Sequence, residues 1–189
     1  MIVIEWQQFL ENGLPLEGRR SSMTVGIFDG VHRGHQVLLE RVVSHNADYV
    51  PVVLTFKQNH KTDNENKEHK DIFSFQQRLT MFEKLGIQIT IVIEFTESFM
   101  LMSGISFLEI LLKHGNVGFF AVGKNFRCGY QLDTNANMIK DFFASNDISA
   151  EIVSELTEGT QPISSSRIRT AIASGDLLLA KTMLGHEIY

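Results

Sequence analysis

The chain contains a single cysteine, Cys128, so a disulfide framework is excluded and a reducing compartment fits. It also lacks a block of basic residues. With a net charge of -5, a nucleic-acid backbone is not an expected partner. No apolar run approaches the roughly 20 residues that a membrane helix needs. The first stretch, Met1 to Gly18, carries Glu5, Glu11 and Glu17 and has no basic start followed by an apolar run, so it does not read as a secretory signal. These absences leave a soluble cytoplasmic protein with no membrane partner as the expectation. What is present is 189 residues, 43% of them hydrophobic, which is ample for one core and marginal for two. One domain over residues 1–189 is therefore expected.

Short apolar, β-branched runs recur along the chain. Met23 to Phe28, Val50 to Phe56, Ile87 to Ile93, Phe119 to Val122 and Ile152-Val153 read as strands. Helical patterns lie between them at Gln36 to Ser44, Phe75 to Leu85, Ser106 to His114 and Met138 to Ser145. Strand alternating with helix predicts an α/β fold, a Rossmann-like open parallel sheet with helices on both faces. Parallel strands are buried on both sides, which accounts for runs that are apolar throughout. Two helices close the chain. Ser164 can cap the first, with Gly175 at its exit; Asp176 can cap the second, with Gly185 at its end. The stretch Lys57 to Asp71 breaks the pattern. Its charges cancel and it has no aliphatic residue, so it reads as a solvated loop at the C-terminal end of a central strand, where ligands gather in open α/β sheets.

Two segments carry chemistry. The first is Gly26-Ile27-Phe28-Asp29-Gly30-Val31-His32-Arg33-Gly34-His35. Asp29-Gly30 suits a turn, because glycine tolerates positive φ. Gly34 removes a side chain where backbone would approach a ligand. A helix then opens near His35, and its free N–H groups and dipole form an anion site. His32 and His35, spaced i and i+3, can both donate to one phosphate. The second segment is Ile163-Ser164-Ser165-Ser166-Arg167-Ile168-Arg169. Hydroxyls, backbone N–H groups and a guanidinium at a helix start suit a polyphosphate. A cation in the first helical turn also opposes the dipole, which points to an anion nearby.

His32-Arg33-Gly34-His35 resembles the His-x-Gly-His signature of the nucleotidylyltransferase superfamily. The longer string from Gly26 resembles the FAD synthetase branch, the adenylyltransferase module of bacterial bifunctional riboflavin kinase/FAD synthetases. Leu54-Thr55-Phe56 is similar to the strand leading into that family's flavin-side loop. Gly123-Lys124-Asn125-Phe126-Arg127-Cys128-Gly129 resembles its Gly-x-(Asp/Asn)-Phe-x-Phe-Gly motif, with Cys128 in place of Phe. Ile163 to Arg169 is similar to its Ile-Ser-Ser-Thr-Arg-Ile-Arg, with Ser166 in place of Thr, and Asp176 to Gly185 resembles its Gly-Asp-Leu…Leu-Gly ending. After Thr55-Phe56 the family has an acidic residue and Pro-His-Pro, whereas this chain has Lys57-Gln58-Asn59-His60, which puts substrate choice on the flavin side in question.

The resemblance implies transfer of AMP from ATP to FMN, giving FAD and pyrophosphate, by direct in-line attack. Mg²⁺ would accompany ATP, with no protein metal cage. On that reading His32 and His35 hold the ATP phosphates, Ser165, Ser166 and Arg167 grip the pyrophosphate, and Gly26, Phe28, Asp29, Gly30 and Gly34 form the nucleotide turn. Asn125, beside Gly123, orients phosphate or flavin. Phe56 and Phe126 pack on the flavin ring, or else serve the core. Bifunctional members continue into a riboflavin kinase barrel where this chain stops at Tyr189, so adenylylation without riboflavin phosphorylation is expected. Two alternatives stay open: a sister nucleotidylyltransferase acting on another small phosphate, and a non-catalytic nucleotide or flavin binder.

Overall fold

The structure is a computed structural model that describes residues 1–45, 47–57 and 71–188. In chain order the elements are β1 (Ile2–Glu5), α1 (Trp6–Asn12), β2 (Arg20–Val25), a 3₁₀ turn (Asp29–Val31), α2 (Arg33–Val43), β3 (Tyr49–Phe56), α3 (Phe75–Lys84), β4 (Ile89–Ile93), α4 (Glu97–Met100) and α5 (Gly104–Gly115). There follow β5 (Val117–Gly123), β6 (Arg127–Cys128), a second 3₁₀ turn (Tyr130–Leu132), β7 (Thr134–Asn135), α6 (Ala136–Ala144) and β8 (Ser149–Val153). A small hairpin, β9 (Thr157–Glu158) and β10 (Gln161–Pro162), leads into α7 (Ser165–Ala173) and α8 (Leu177–Leu184).

Six strands form one sheet in the order β1-β4-β3-β2-β5-β8, and every neighbouring pair is parallel. The side chains of successive residues alternate between its faces. Val52 and Leu54 join Met23, Phe107, Leu111, Phe120 and Phe143 on the side covered by α1, α5 and α6. Val53 joins Leu39, Val42, Phe82 and Ala121 on the side covered by α2 and α3. Both faces are therefore dry, and the strands carry apolar side chains in both directions. Ile163, Ile168, Ala180, Met183 and Leu184 make a separate small core between α7 and α8.

The five expected strands are all present, with shifted ends. The first stops at Val25 instead of Phe28, because the backbone turns left-handed at Phe28, where φ is 56°. The sequence reading did not find β1, α1, α4 or the two-residue strands. β1 has one buried residue, Ile4, and pairs with β4 at the sheet edge. Ser164 and Asp176 cap α7 and α8 as expected, accepting from the N–H groups of Arg167 and Leu179. Residues 58–70, most of the expected solvated loop, lie outside the described residues.

The chain winds outward from β2 in both directions, through β3 and β4 on one side and β5 and β8 on the other. The order switches between β2 and β5, so the loops leaving those two strands flank a crevice at the C-terminal edge.

Candidate active site

Leaving β2, the chain makes an unusual turn. Phe28, Gly30 and Val31 have φ of 56°, 74° and 40°. Gly30 meets the conformational demand, and a Cβ there would also come within 3.0 Å of Ile72. Gly26 serves its neighbour: a Cβ would sit 3.0 Å from the Phe28 ring, which folds back over it. That ring is only 2% exposed and packs edge-on against His35 at 5.2 Å and Phe82 at 5.6 Å. Phe28 thus gives the core its side chain and leaves only backbone for a ligand. Gly34 makes room for an imidazole, since a Cβ would lie 3.3 Å from the His32 ring.

α2 begins at Arg33, two residues before the expected start. His32 is its N-cap, and His32 Nδ1 accepts the His35 backbone N–H at 3.3 Å. The two imidazoles stack at 3.5 Å with an 18° tilt. His32 is 6% exposed, and burial, followed by the nearby His186, lowers its pKa from 6.5 to about 4. His35 is held well below 6.5, first by burial and then by His32. Both rings are therefore neutral at neutral pH. Because His32 Nδ1 is an acceptor, its proton sits on Nε2, which can donate. The His35 Nδ1 atom is buried and has no partner among the described residues.

The second segment docks on this turn. Ser165 Oγ donates to the Asp29 carbonyl at 2.9 Å, across 136 positions of sequence. Asp29, 3% exposed, forms an ion pair with Arg169 at 2.9 Å and accepts the backbone N–H groups of Ile72 at 2.9 Å and Phe73 at 3.2 Å. Its carboxylate is committed to joining three chain segments, so its contribution to a ligand site is the shape of the turn. Arg33 forms an ion pair with Glu158 at 2.6 Å, and Gln36 Nε2 donates to the carbonyls of Val31 and Leu184. His186 places Nε2 3.0 Å from the Gly30 carbonyl.

Arg167, expected to grip pyrophosphate, is engaged within the protein. Its guanidinium donates to the carbonyls of Glu158 at 3.1 Å, Gln161 at 3.0 Å and Pro162 at 3.3 Å, holding the β9–β10 hairpin. Ser166 is exposed beside it. Arg169 is the arginine that reaches the β2 turn. Sequence reasoning gave it no role of its own, although its spacing of four from Ser165 puts both on one helix face.

Across the crevice the β5 loop is open. Nothing lies within 4 Å of a Cβ built on Gly123. Asn125 is exposed and donates to Glu155 at 2.7 Å. Lys124, Asn125, Phe126, Arg127, Asn135 and Asn137 line a recess of ≈ 300 Å³. Phe126 is half-buried against the core. Phe56, at the end of β3, stacks on Phe95 at 4.4 Å and 12°. Lys57 Nζ pairs with Glu94 at 2.7 Å, while Gln58, Asn59 and His60 lie outside the described residues. Cys128 is half-buried, and burial pushes its thiol up to about 12, away from the range of a nucleophile. Among the described residues no group of three or more His, Cys, Asp or Glu side chains could hold a metal ion. Nor is any helix there long and apolar enough to cross a membrane.

A parallel sheet with an imidazole pair at a helix start, and a serine-rich helix start docked against it, defines an α/β nucleotidylyltransferase-type domain. A model of the FAD synthetase family matches residues 15–167, and the chain belongs to that family. It is 31% identical over 179 residues to a bifunctional riboflavin kinase/FMN adenylyltransferase of Bacillus subtilis, covering 92% of this chain and 56% of that protein. It is 30% identical over 170 residues to the Escherichia coli K12 protein of the same description, covering 87% and 54%. The chain thus spans about half the length of these relatives. Among solved structures, a macrolide-efflux protein from Streptococcus pneumoniae superposes with a TM-score of 0.86 at 25% identity, over 100% of this chain and 72% of that one. A pantoate-beta-alanine ligase from Francisella tularensis shares the fold, with a TM-score of 0.60 at 14% identity over 98% and 78%.

Proposed function

We propose that this domain transfers AMP from ATP to FMN, giving FAD and pyrophosphate. The observation that carries the reading is the meeting of the two motifs: the turn bearing His32 and His35 and the start of α7 touch through Ser165 and Asp29. Family membership supplies the substrate class.

The FMN phosphate is already an anion, so no general base is needed to create the nucleophile. The chain's task is alignment and stabilisation of charge. His32 Nε2–H, the His35 imidazole stacked on it and the first N–H groups of α2 would donate to the ATP phosphates. Ser166 and Arg167 would hold the departing pyrophosphate, Arg167 exchanging hairpin carbonyls for phosphate oxygens. Asn125 would orient the acceptor from the β5 side, with Phe126 and Phe56 as apolar walls for the flavin. Mg²⁺ would enter with ATP. The donors present are imidazoles, hydroxyls and amides, with the Asp29 carboxylate already committed, and they suit an ion held by phosphate oxygens and water. The single cysteine and the net charge of -5 support a cytoplasmic setting without a nucleic-acid partner.

Incubating the protein with FMN, ATP and Mg²⁺ and separating the products by chromatography tests this. FAD and pyrophosphate in equal amounts are expected. Pyrophosphate release with another small phosphate, but not with FMN, would assign the domain to a sister reaction. Binding of both ligands with no product would make it a binder.

A further inference from the structure

We infer that Arg78 is a positioning residue, a buried guanidinium that holds the exits of β2 and β3 in a fixed relation and thereby sets the turn bearing His32 and His35 against the end of β3. Arg78 lies on α3 and is 1% exposed. One of its terminal nitrogens donates to the Ile27 carbonyl at 2.6 Å and to Thr55 Oγ1 at 3.2 Å; the other donates to the Lys57 carbonyl at 3.3 Å. Thr55 Oγ1 in turn donates to the same Ile27 carbonyl at 3.2 Å. The guanidinium carbon sits 5.2 Å from the centre of the Phe75 ring, over its face.

The two carbonyls belong to different loops. Ile27 opens the turn that carries His32 and His35. Lys57 follows β3 on the side expected to face the acceptor. A trans peptide places its C=O and N–H on opposite sides. Fixing the Ile27 carbonyl on Arg78 therefore aims the Phe28 N–H away from Arg78, at the start of the left-handed stretch. A buried arginine is costly to desolvate, and nothing in an ordinary amphipathic helix calls for one. Lysine, as a point charge, cannot span two loops in one plane.

The inference rests on the proposed FMN adenylylation, and the test separates the two. Arg78→Lys, Arg78→Gln and Thr55→Val are compared with the parent protein by steady-state kinetics, well below their melting temperatures. The expected result is a rise of roughly tenfold in KM for both ATP and FMN in the two Arg78 variants, and about threefold in Thr55→Val. A purely structural role would lower the active fraction, and hence kcat, while leaving KM alone; that outcome overturns the inference. A wild-type KM in Arg78→Lys also overturns it, because charge alone would then suffice. If Arg78→Gln fails to fold, Arg78→Lys and Thr55→Val decide. If the parent protein makes no FAD, the proposed reaction fails, and equilibrium dialysis of ATP against parent and Arg78→Lys decides: weakened binding supports the role of Arg78 and equal binding overturns it.

Discussion

Where the chain leaves β2, side chains are tied to segments far away in sequence; where it leaves β5, the side-chain ties are few and exposed. On the β2 side Asp29, Arg169, Ser165, Gln36 and Arg33 tie a left-handed turn to segments far away in sequence, and two imidazoles stack inside it. On the β5 side Asn125 has one exposed partner, and Gly123 faces open space. The contrast fits the two substrates of the proposed reaction, which differ in kind. A triphosphate is best met by donors already fixed, because no reorganisation is then needed as charge develops. A bulky acceptor that must enter and leave is better met by an open wall.

The contrast can be broken most severely at Asp29. Asp29→Asn leaves the partly buried Arg169 without its counter-charge and should cost about 3–5 kcal/mol of stability by urea denaturation. A loss below 1 kcal/mol would mean that the β2 side is not clamped as described. Acid probes the same side. A histidine whose folded pKa is depressed contributes stability that is fully present above its unfolded value and lost as pH falls, since the unfolded chain takes up the proton first. For His32 the window runs from 6.5 down to about 4. The expected loss across it is about 3 kcal/mol, and His32→Gln should flatten the slope. His35→Ala should lower turnover by roughly a hundredfold with the fold retained, read by kinetics beside circular dichroism. Asn125→Ala, on the open side, should mainly raise the acceptor KM, by roughly tenfold, and leave stability unchanged. Glu158→Gln, which cuts the part-exposed pair with Arg33, should cost less than about 1 kcal/mol.

The central strands were legible because Val52-Val53-Leu54 and Phe119-Phe120-Ala121 are buried on both faces and leave a run that survives any choice of period. β1 left no such trace: at the sheet edge only Ile4 is buried. The two motifs were legible as local strings, but their joint was not. Asp29 and Arg169 stand 140 positions apart, and each reads alone as ordinary turn or surface chemistry. Arg167 was read as a phosphate-gripping cation from its place at a helix start, and its contacts to the hairpin left no trace, because the hairpin's strands of two residues are too short to show a pattern. Arg78 was invisible for the opposite reason. An arginine within Phe75 to Lys84 looks solvated until the loops of β2 and β3 are seen to converge on it.

The tie between Asp29 and Ser165 also bears on how the molecule reaches its final state. Parallel sheets assemble from contacts distant along the chain, so the pocket closes only after the last helices have found the first loop. Nucleotide bound there would act as a clasp over the whole polypeptide, adding about 2.7 kcal/mol when present at a hundred times its dissociation constant. The availability of ATP would then decide how long each folded copy survives, and not only how fast it works.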